Sequence, residues 1–243
     1  MPGEEFRTIL YKETNIEYLL KRKQVKNLNL RIHADSSIVV SANERVATDK
    51  VDAFVIEKGA YILSSMQRFK RIEEYELPSK QYVSGETFEI LGRGVRLKVQ
   101  QGVKDSIFSD GIYIYLTVAD QNDYLKKEKL VQRFLDKECS QVFYEIIHQI
   151  YPSFQKYGVG MPVLRVRDMK TRWGSCSPTR GIITLNKKLL EAPRNCIEYV
   201  ILHEFCHFIH PNHSKQFYSF VAMLMPDWKE RKTQLDKNAV HGL

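Results

Sequence analysis

Residues 201–214, ILHEFCHFIHPNHS, place four histidines and one glutamate within fourteen positions and contain the pattern HExxH. On a helix, side chains four positions apart project within about 40° of each other, one turn apart, so His203 and His207 can reach one metal ion. Glu204 is rotated by about 100° from His203, out of the same coordination position but beside any water the ion would hold. That arrangement suits hydrolysis: a cation activates water, and the carboxylate takes its proton. A third ligand has to arrive from another direction, because three turns of one straight helix cannot surround a tetrahedral ion. His210 lies about 10 Å along the axis from His203. His213 lies beyond Pro211, where the chain turns, six residues after His207, the offset of the last histidine in HExxHxxGxxH. His213 is the preferred third ligand, although His210 stands where that longer pattern has glycine.

The helix that must carry these groups is expected from about Pro193 to His210, ended by Pro211. Cys196, Ile197, Tyr199, Val200, Ile201, Leu202, Phe205, Cys206, Phe208 and Ile209 make it apolar on nearly every side, the pattern of a buried helix. Burying two imidazoles and a carboxylate there without partners costs several kcal/mol, whereas a divalent cation keeps the imidazoles neutral and opposes the carboxylate's desolvation. His33, His148 and His241 are isolated and read as ordinary surface or core residues.

A second segment, KTRWGSCSPTRGIITLN at 170–186, reads as strand, turn and strand, with Gly174, Pro178 and Gly181 marking turns. Trp173 reads as core, Gly174 as a backbone requirement and Cys176 as a packed thiol. Without CxxC company, Cys176 has little claim to be a nucleophile or ligand.

Around these segments the pattern is α+β. Residues 27–33 and 38–40 read as paired strands, and residues 49–72 read as one amphipathic helix through Val51, Phe54, Val55, Tyr61, Ile62, Met66 and Phe69. Residues 88–90 and 95–99 flank Gly92, Arg93 and Gly94 as a hairpin, and residues 112–118 alternate as a further strand. The first half is therefore expected to be mostly antiparallel sheet with one long helix. A long helix from about residue 124 to Ile150, short strands at 163–166 and 182–185, and a last helix from Asn212 or Ser214 to Met225 complete a helical half with a short sheet. A soft boundary at 119–123 divides an N-terminal mixed region, 1–121, from a C-terminal region with the HExxH segment, 122–243, the alternative being one integrated domain. No repeat period is visible.

The 243 residues are ample for a self-sufficient core. No run approaches a membrane span, and two glutamates stand where a secretory signal would be basic. Cys139, Cys176, Cys196 and Cys206 have neither CxxC spacing nor scaffold density, so free thiols in the cytoplasm are expected. The net charge of +8 lies almost entirely in residues 121–243, with 19 Lys/Arg against 12 Asp/Glu. That excess is compatible with a nucleic-acid partner without requiring one.

The two segments resemble the YgjP-like metallopeptidase family, in Arg172-Trp173-Gly174-Ser175-Cys176, in His203-Glu204-Phe205-Cys206-His207, and in Pro211-Asn212-His213-Ser214. That family is similar in turn to the compact SprT- and Wss-type zinc proteases. The resemblance implies a minimal zincin half in which His203, His207 and His213 hold one zinc per chain and Glu204 is catalytic. It also implies that Trp173–Cys176 lies beside the active-site helix. The expected function is zinc-dependent hydrolysis of peptide bonds in a protein or peptide substrate, with Arg172, Tyr218 or a backbone amide as oxyanion donor. The alternatives are a zinc-stapled module that binds nucleic acid or another acidic partner, closed by Cys206 or His210, and a zinc amidohydrolase for non-peptide amides.

Overall fold

The computed structural model describes residues 4–33, 35–74, 80–169 and 171–238. The chain divides into two compact units, Met1–Glu76 with Val240–Leu243 and Leu77–Ala239. The first contains strands β1 (Glu4–Tyr11), β2 (Thr14–Arg22), β3 (Asn29–Ile32) and β4 (Ile38–Ala42), then helices α1 (Thr48–Glu57) and α2 (Gly59–Glu74). Its sheet has the order β1-β2-β4-β3; the β1/β2 and β3/β4 pairs are antiparallel and β2/β4 is parallel. One face buries Ile9, Ile16, Tyr18, Leu20, Ile38, Val40 and Ala42 against Val51, Val55 and Ile62 of the helices. The alternation of strand burial that this requires is visible in β4, where Ile38, Val40 and Ala42 point inward.

The second unit begins with β5 (Thr87–Ile90), β6 (Arg93–Gln101), β7 (Ser106–Ser109) and β8 (Tyr113–Val118), in the order β5-β6-β8-β7. Here too the outer pairs are antiparallel and the central pair parallel. Helix α3 (Tyr124–Ile150), capped by the Asp123 carboxylate accepting from the Lys126 amide, is its spine. At 27 residues it is about 40 Å long. Its first half sets Val131 and Phe134 under Phe88, Val95, Leu97, Ile114, Leu116 and Val118 of the sheet. Its second half, through Cys139, Val142, Phe143, Ile146 and Ile147, enters another core.

That second core is built by α4 (Pro152–Gln155), β9 (Val163–Arg167), β10 (Gly174–Ser177), β11 (Ile182–Asn186), α5 (Arg194–Cys206), α6 (Lys215–Leu224) and α7 (Trp228–Asn238). Its small sheet has the order β10-β11-β9, antiparallel then parallel, leaving β10 and β9 as edges. Ile90 and Leu135 pack against both cores of this unit, making them continuous. The hairpin turn between β5 and β6 is tied to the approach to α5: the Leu91 and Gly92 amides donate to the Leu190 and Glu191 carbonyls at 2.8 and 3.0 Å.

The α+β reading stands, and the structure alters its details. The helix expected over 49–72 is two helices, ending at Glu57 and restarting at Gly59, where a Cβ would lie 2.3 Å from the Tyr11 ring; the Phe69 side chain lies outside the described residues, as do Lys170 and His241. The β5/β6 turn is Leu91-Gly92, both at positive φ, a primed two-residue turn whose twist suits a hairpin. Strands β1, β2 and β7 and helix α7 had no expected counterpart. The composition change at 119–123 falls inside the second unit, at the start of α3. The two four-stranded sheets repeat one strand order, a repeat of topology that no sequence period betrays. Among the described residues, no helix is long and apolar enough to cross a membrane.

Candidate metal centre

Helix α5 buries nine of its thirteen residues, Glu204 among them. Phe205 stacks on Phe154 at 4.9 Å, and Tyr199 stacks on Trp228 of α7 at 6.3 Å, so both flanks are fixed by rings. His203 and His207 emerge one turn apart, their ring centroids 5.0 Å from each other. The helix stops at Cys206 rather than His210, because the amides of His207, Phe208 and Ile209 bond to carbonyls three residues back, a tightening common at helix ends. The reversal returns His213 to the helix: its Nε2 lies 2.9 Å from Nε2 of His203. Ser214 then caps α6 by accepting from the Phe217 amide at 3.3 Å.

One ring nitrogen from each of His203, His207 and His213 lies within 4.8 Å of the other two. Phe217, fully buried, contacts all three imidazoles with centroid separations of 4.7–4.9 Å and is the floor on which they converge. His207 Nδ1 donates to the His210 carbonyl at 3.2 Å, which leaves Nε2 as its free ligand atom. The His210 ring packs edge-on against Phe220 at 5.4 Å, away from the cluster. Burial lowers the proton affinity of all three rings, that of His203 to about 3, so they are neutral and able to coordinate.

Glu204 is 5% exposed, and its Oε2 has no hydrogen-bond partner; the same holds for His203 Nδ1. Burial pushes the Glu204 carboxyl up to about 8, with the charge of Arg172 opposing. Its close neighbour is Gly174, the first residue of β10, where a Cβ would stand 2.8 Å from Glu204 Oε1. The glycine in the Trp-Gly pair is therefore required by the carboxylate opposite. Asn186, fully buried, fixes that approach: its Nδ2 donates to the Met169 and Arg172 carbonyls at 2.7 and 3.0 Å, and its amide donates to the Trp173 carbonyl at 2.9 Å.

A cleft of about 500 Å³ opens over the cluster, walled by Arg172, Trp173, Gly174, Ser175 and Cys176 on one side and by Tyr199, Val200 and α7 on the other. Tyr218 stands beside it, stacked near His213 at 6.0 Å and on Trp228 at 5.2 Å. Cys176 is half-buried, and burial with the nearby Glu204 charge pushes its thiol up to about 12, an inert state at neutral pH. The structure thus brings His203, Glu204, His207, His213 and residues 172–176 together. Sequence reasoning missed Phe217, Asn186 and the α7 residues Lys232, Leu235 and Asp236. Asn186 closes a strand and Phe217 lies three residues past Ser214, but nothing in their spacing shows what they touch.

Three neutral imidazoles with a nitrogen of each converging, and an unpartnered carboxylate oxygen on the same helix as two of them, are a donor set that fits a divalent cation, and zinc in particular. The model of the YgjP-like metallopeptidase domain matches residues 26–238, and the chain belongs to that family. Membership makes it a metallopeptidase-type hydrolase whose family uses a metal. None of the curated proteins matches it.

Proposed function

We propose that the chain hydrolyses peptide bonds with one zinc ion held by His203, His207 and His213, and with Glu204 as general base. The observation that carries this reading is the convergence of three ring nitrogens beside a buried, unpartnered carboxylate in an open cleft. Zinc bound there would supply Lewis acidity, lowering the pKa of water toward about 7 and polarising a carbonyl. Glu204 takes the proton of the attacking water and returns it to the leaving amine. The bound cation's charge would draw the Glu204 carboxyl back toward the ionised form that a base requires. His207 holds its tautomer through the His210 carbonyl, Gly174 leaves room for the carboxylate, and Asn186 holds the strand that carries Gly174. Among the described residues strand β10 pairs only with β11, so its other edge can accept an extended substrate by strand addition. Arg172, exposed on the cleft wall, brings positive charge to a developing oxyanion.

A zinc-stapled binding module would need a fourth protein ligand. Among the described residues the cluster contains three, and neither Cys206 nor His210 joins it. The test is Glu204→Gln. The variant is expected to retain zinc and lose hydrolysis of an unstructured protein substrate; retained hydrolysis with zinc bound removes Glu204 from its role.

A further inference from the structure

We propose that the outward face of the β5-β6-β8-β7 sheet binds single-stranded nucleic acid, stacking bases on Phe108, Tyr113 and Tyr115 and meeting phosphates with Arg96 and Lys98. The register builds this face. Arg96 lies opposite Tyr113 and Lys98 opposite Tyr115 on the central strand pair, and Phe108 lies opposite Tyr115 on the edge strand. With a period of two, these residues point away from Leu97, Ile114 and Leu116, which are buried against α3.

The rings are already arranged as a platform. Phe108 and Tyr115 stack at 4.9 Å and 17°, Tyr113 lies 6.0 Å from Tyr115, and the Lys98 ammonium sits 3.4 Å from the Tyr113 ring centre. Phe108 is 54% exposed, open aromatic surface on a sheet face that stands opposite the α3-packed one. Among the described residues neither Arg96 nor Lys98 has an ion-pair partner. The acid nearest the rings, Asp110, is held by the Tyr115 hydroxyl at 3.0 Å and by the Ile112 and Tyr113 amides at 2.9 and 2.7 Å. Glu89 stands on the far edge strand, opposite Gly94.

Rings interleaved with unpaired cations favour a ligand that alternates flat bases with phosphates. A flat sheet reaches bases only when they are unpaired, which selects single strands over duplex. The charge totals hide this: residues 1–120 hold 18 Lys/Arg against 17 Asp/Glu, and the excess on this face comes from strand register.

The test is fluorescence anisotropy of the full chain with a labelled oligothymidylate, beside the same length of duplex and an uncharged oligosaccharide. Binding is expected to favour the single strand and to weaken as salt rises. Phe108→Ser, a change at an exposed position, should weaken it about 5- to 100-fold. Lys98→Ala should reduce the slope of log affinity on log salt by about 0.7. Arg96→Ala should do the same, and all three variants should keep the parent's melting temperature and peptide hydrolysis. The proposal is overturned if the duplex binds as well as the single strand, if the oligosaccharide binds instead, if no ligand binds, or if Phe108→Ser and Lys98→Ala bind like the parent.

Discussion

Asp52 in the first unit and Glu204 in the second are both withdrawn from solvent, and they are handled in opposite ways. In the first unit Asp52 of α1 accepts from both Arg7 Nε and Nη2, at 3.1 and 2.8 Å, and from the buried Tyr18 hydroxyl. Those donors hold its carboxyl below the usual range, the Arg7 hydrogen bonds first, and burial with the Asp52 interaction raises the Tyr18 phenol. In the second unit Glu204 is more deeply buried, has an oxygen without a partner, and is pushed up rather than down. A fold can satisfy a buried carboxylate when only stability is at stake, as the Asp52 cluster shows. The unpartnered Glu204 oxygen is what the proposed role as general base requires, a carboxylate left free of the hydrogen bonds that would hold it.

Exchanging each carboxylate for its amide breaks this contrast most sharply. Glu204→Gln should lower kcat by about 10²- to 10⁴-fold while leaving the melting temperature equal to or above the parent's. Asp52→Asn should leave kcat unchanged and destabilise the fold by about 1–2 kcal/mol, since the lost hydrogen bonds involve a charged acceptor that is partly exposed. Steady-state kinetics and denaturant titration on both variants measure the four values. Equal activity losses, or a destabilised Glu204→Gln protein, would erase the distinction.

The contacts that shape the surroundings of Glu204 are next in size. Asn186→Leu strands the Met169 and Arg172 carbonyls and should cost about 1–3 kcal/mol, read by denaturant titration. Gly174→Ala forces its methyl against Glu204 and should cost about 1–3 kcal/mol through overpacking, with a fall in kcat at unchanged metal content. A Gly174→Ala protein as active as the parent would show that the close approach does not matter.

The smallest effect is on pH dependence. The folded-state pKa of Asp52 is depressed below its ordinary 3.8, so its stabilisation is complete above the unfolded value and lost as pH falls through the lower folded one. Stability measured by denaturant from about pH 6 down to about pH 3 should therefore fall less steeply in Asp52→Asn than in the parent. Superimposable acid limbs would contradict that.

Legibility in the sequence followed the range of the interactions. The HExxH pair could be read because it depends on helical spacing alone, and α5's burial because nearly every neighbour is apolar. Helix α7 was invisible since WKERKTQLDKN has only Trp228 and Leu235 as apolar residues, seven positions apart and too few to show a helical period. The need for glycine at 59 depends on Tyr11, 48 residues away, and the need for glycine at 174 depends on a carboxylate 30 residues downstream. Strand order is likewise set by non-local pairing, so the two sheets repeat a topology without repeating residues. His213 could be preferred over His210 because its six-residue offset from His207 is a local pattern; the turn that brings its ring to His203 begins earlier, at the end of α5.

The central claim is a three-imidazole site beside a free carboxylate. It is tested most directly by a crystal structure of the zinc-loaded protein with anomalous data at the zinc edge. The account predicts one zinc per chain at about 2.0–2.1 Å from nitrogens of His203, His207 and His213, with no fourth protein ligand. A fourth protein ligand, or zinc bound away from these rings, would contradict it.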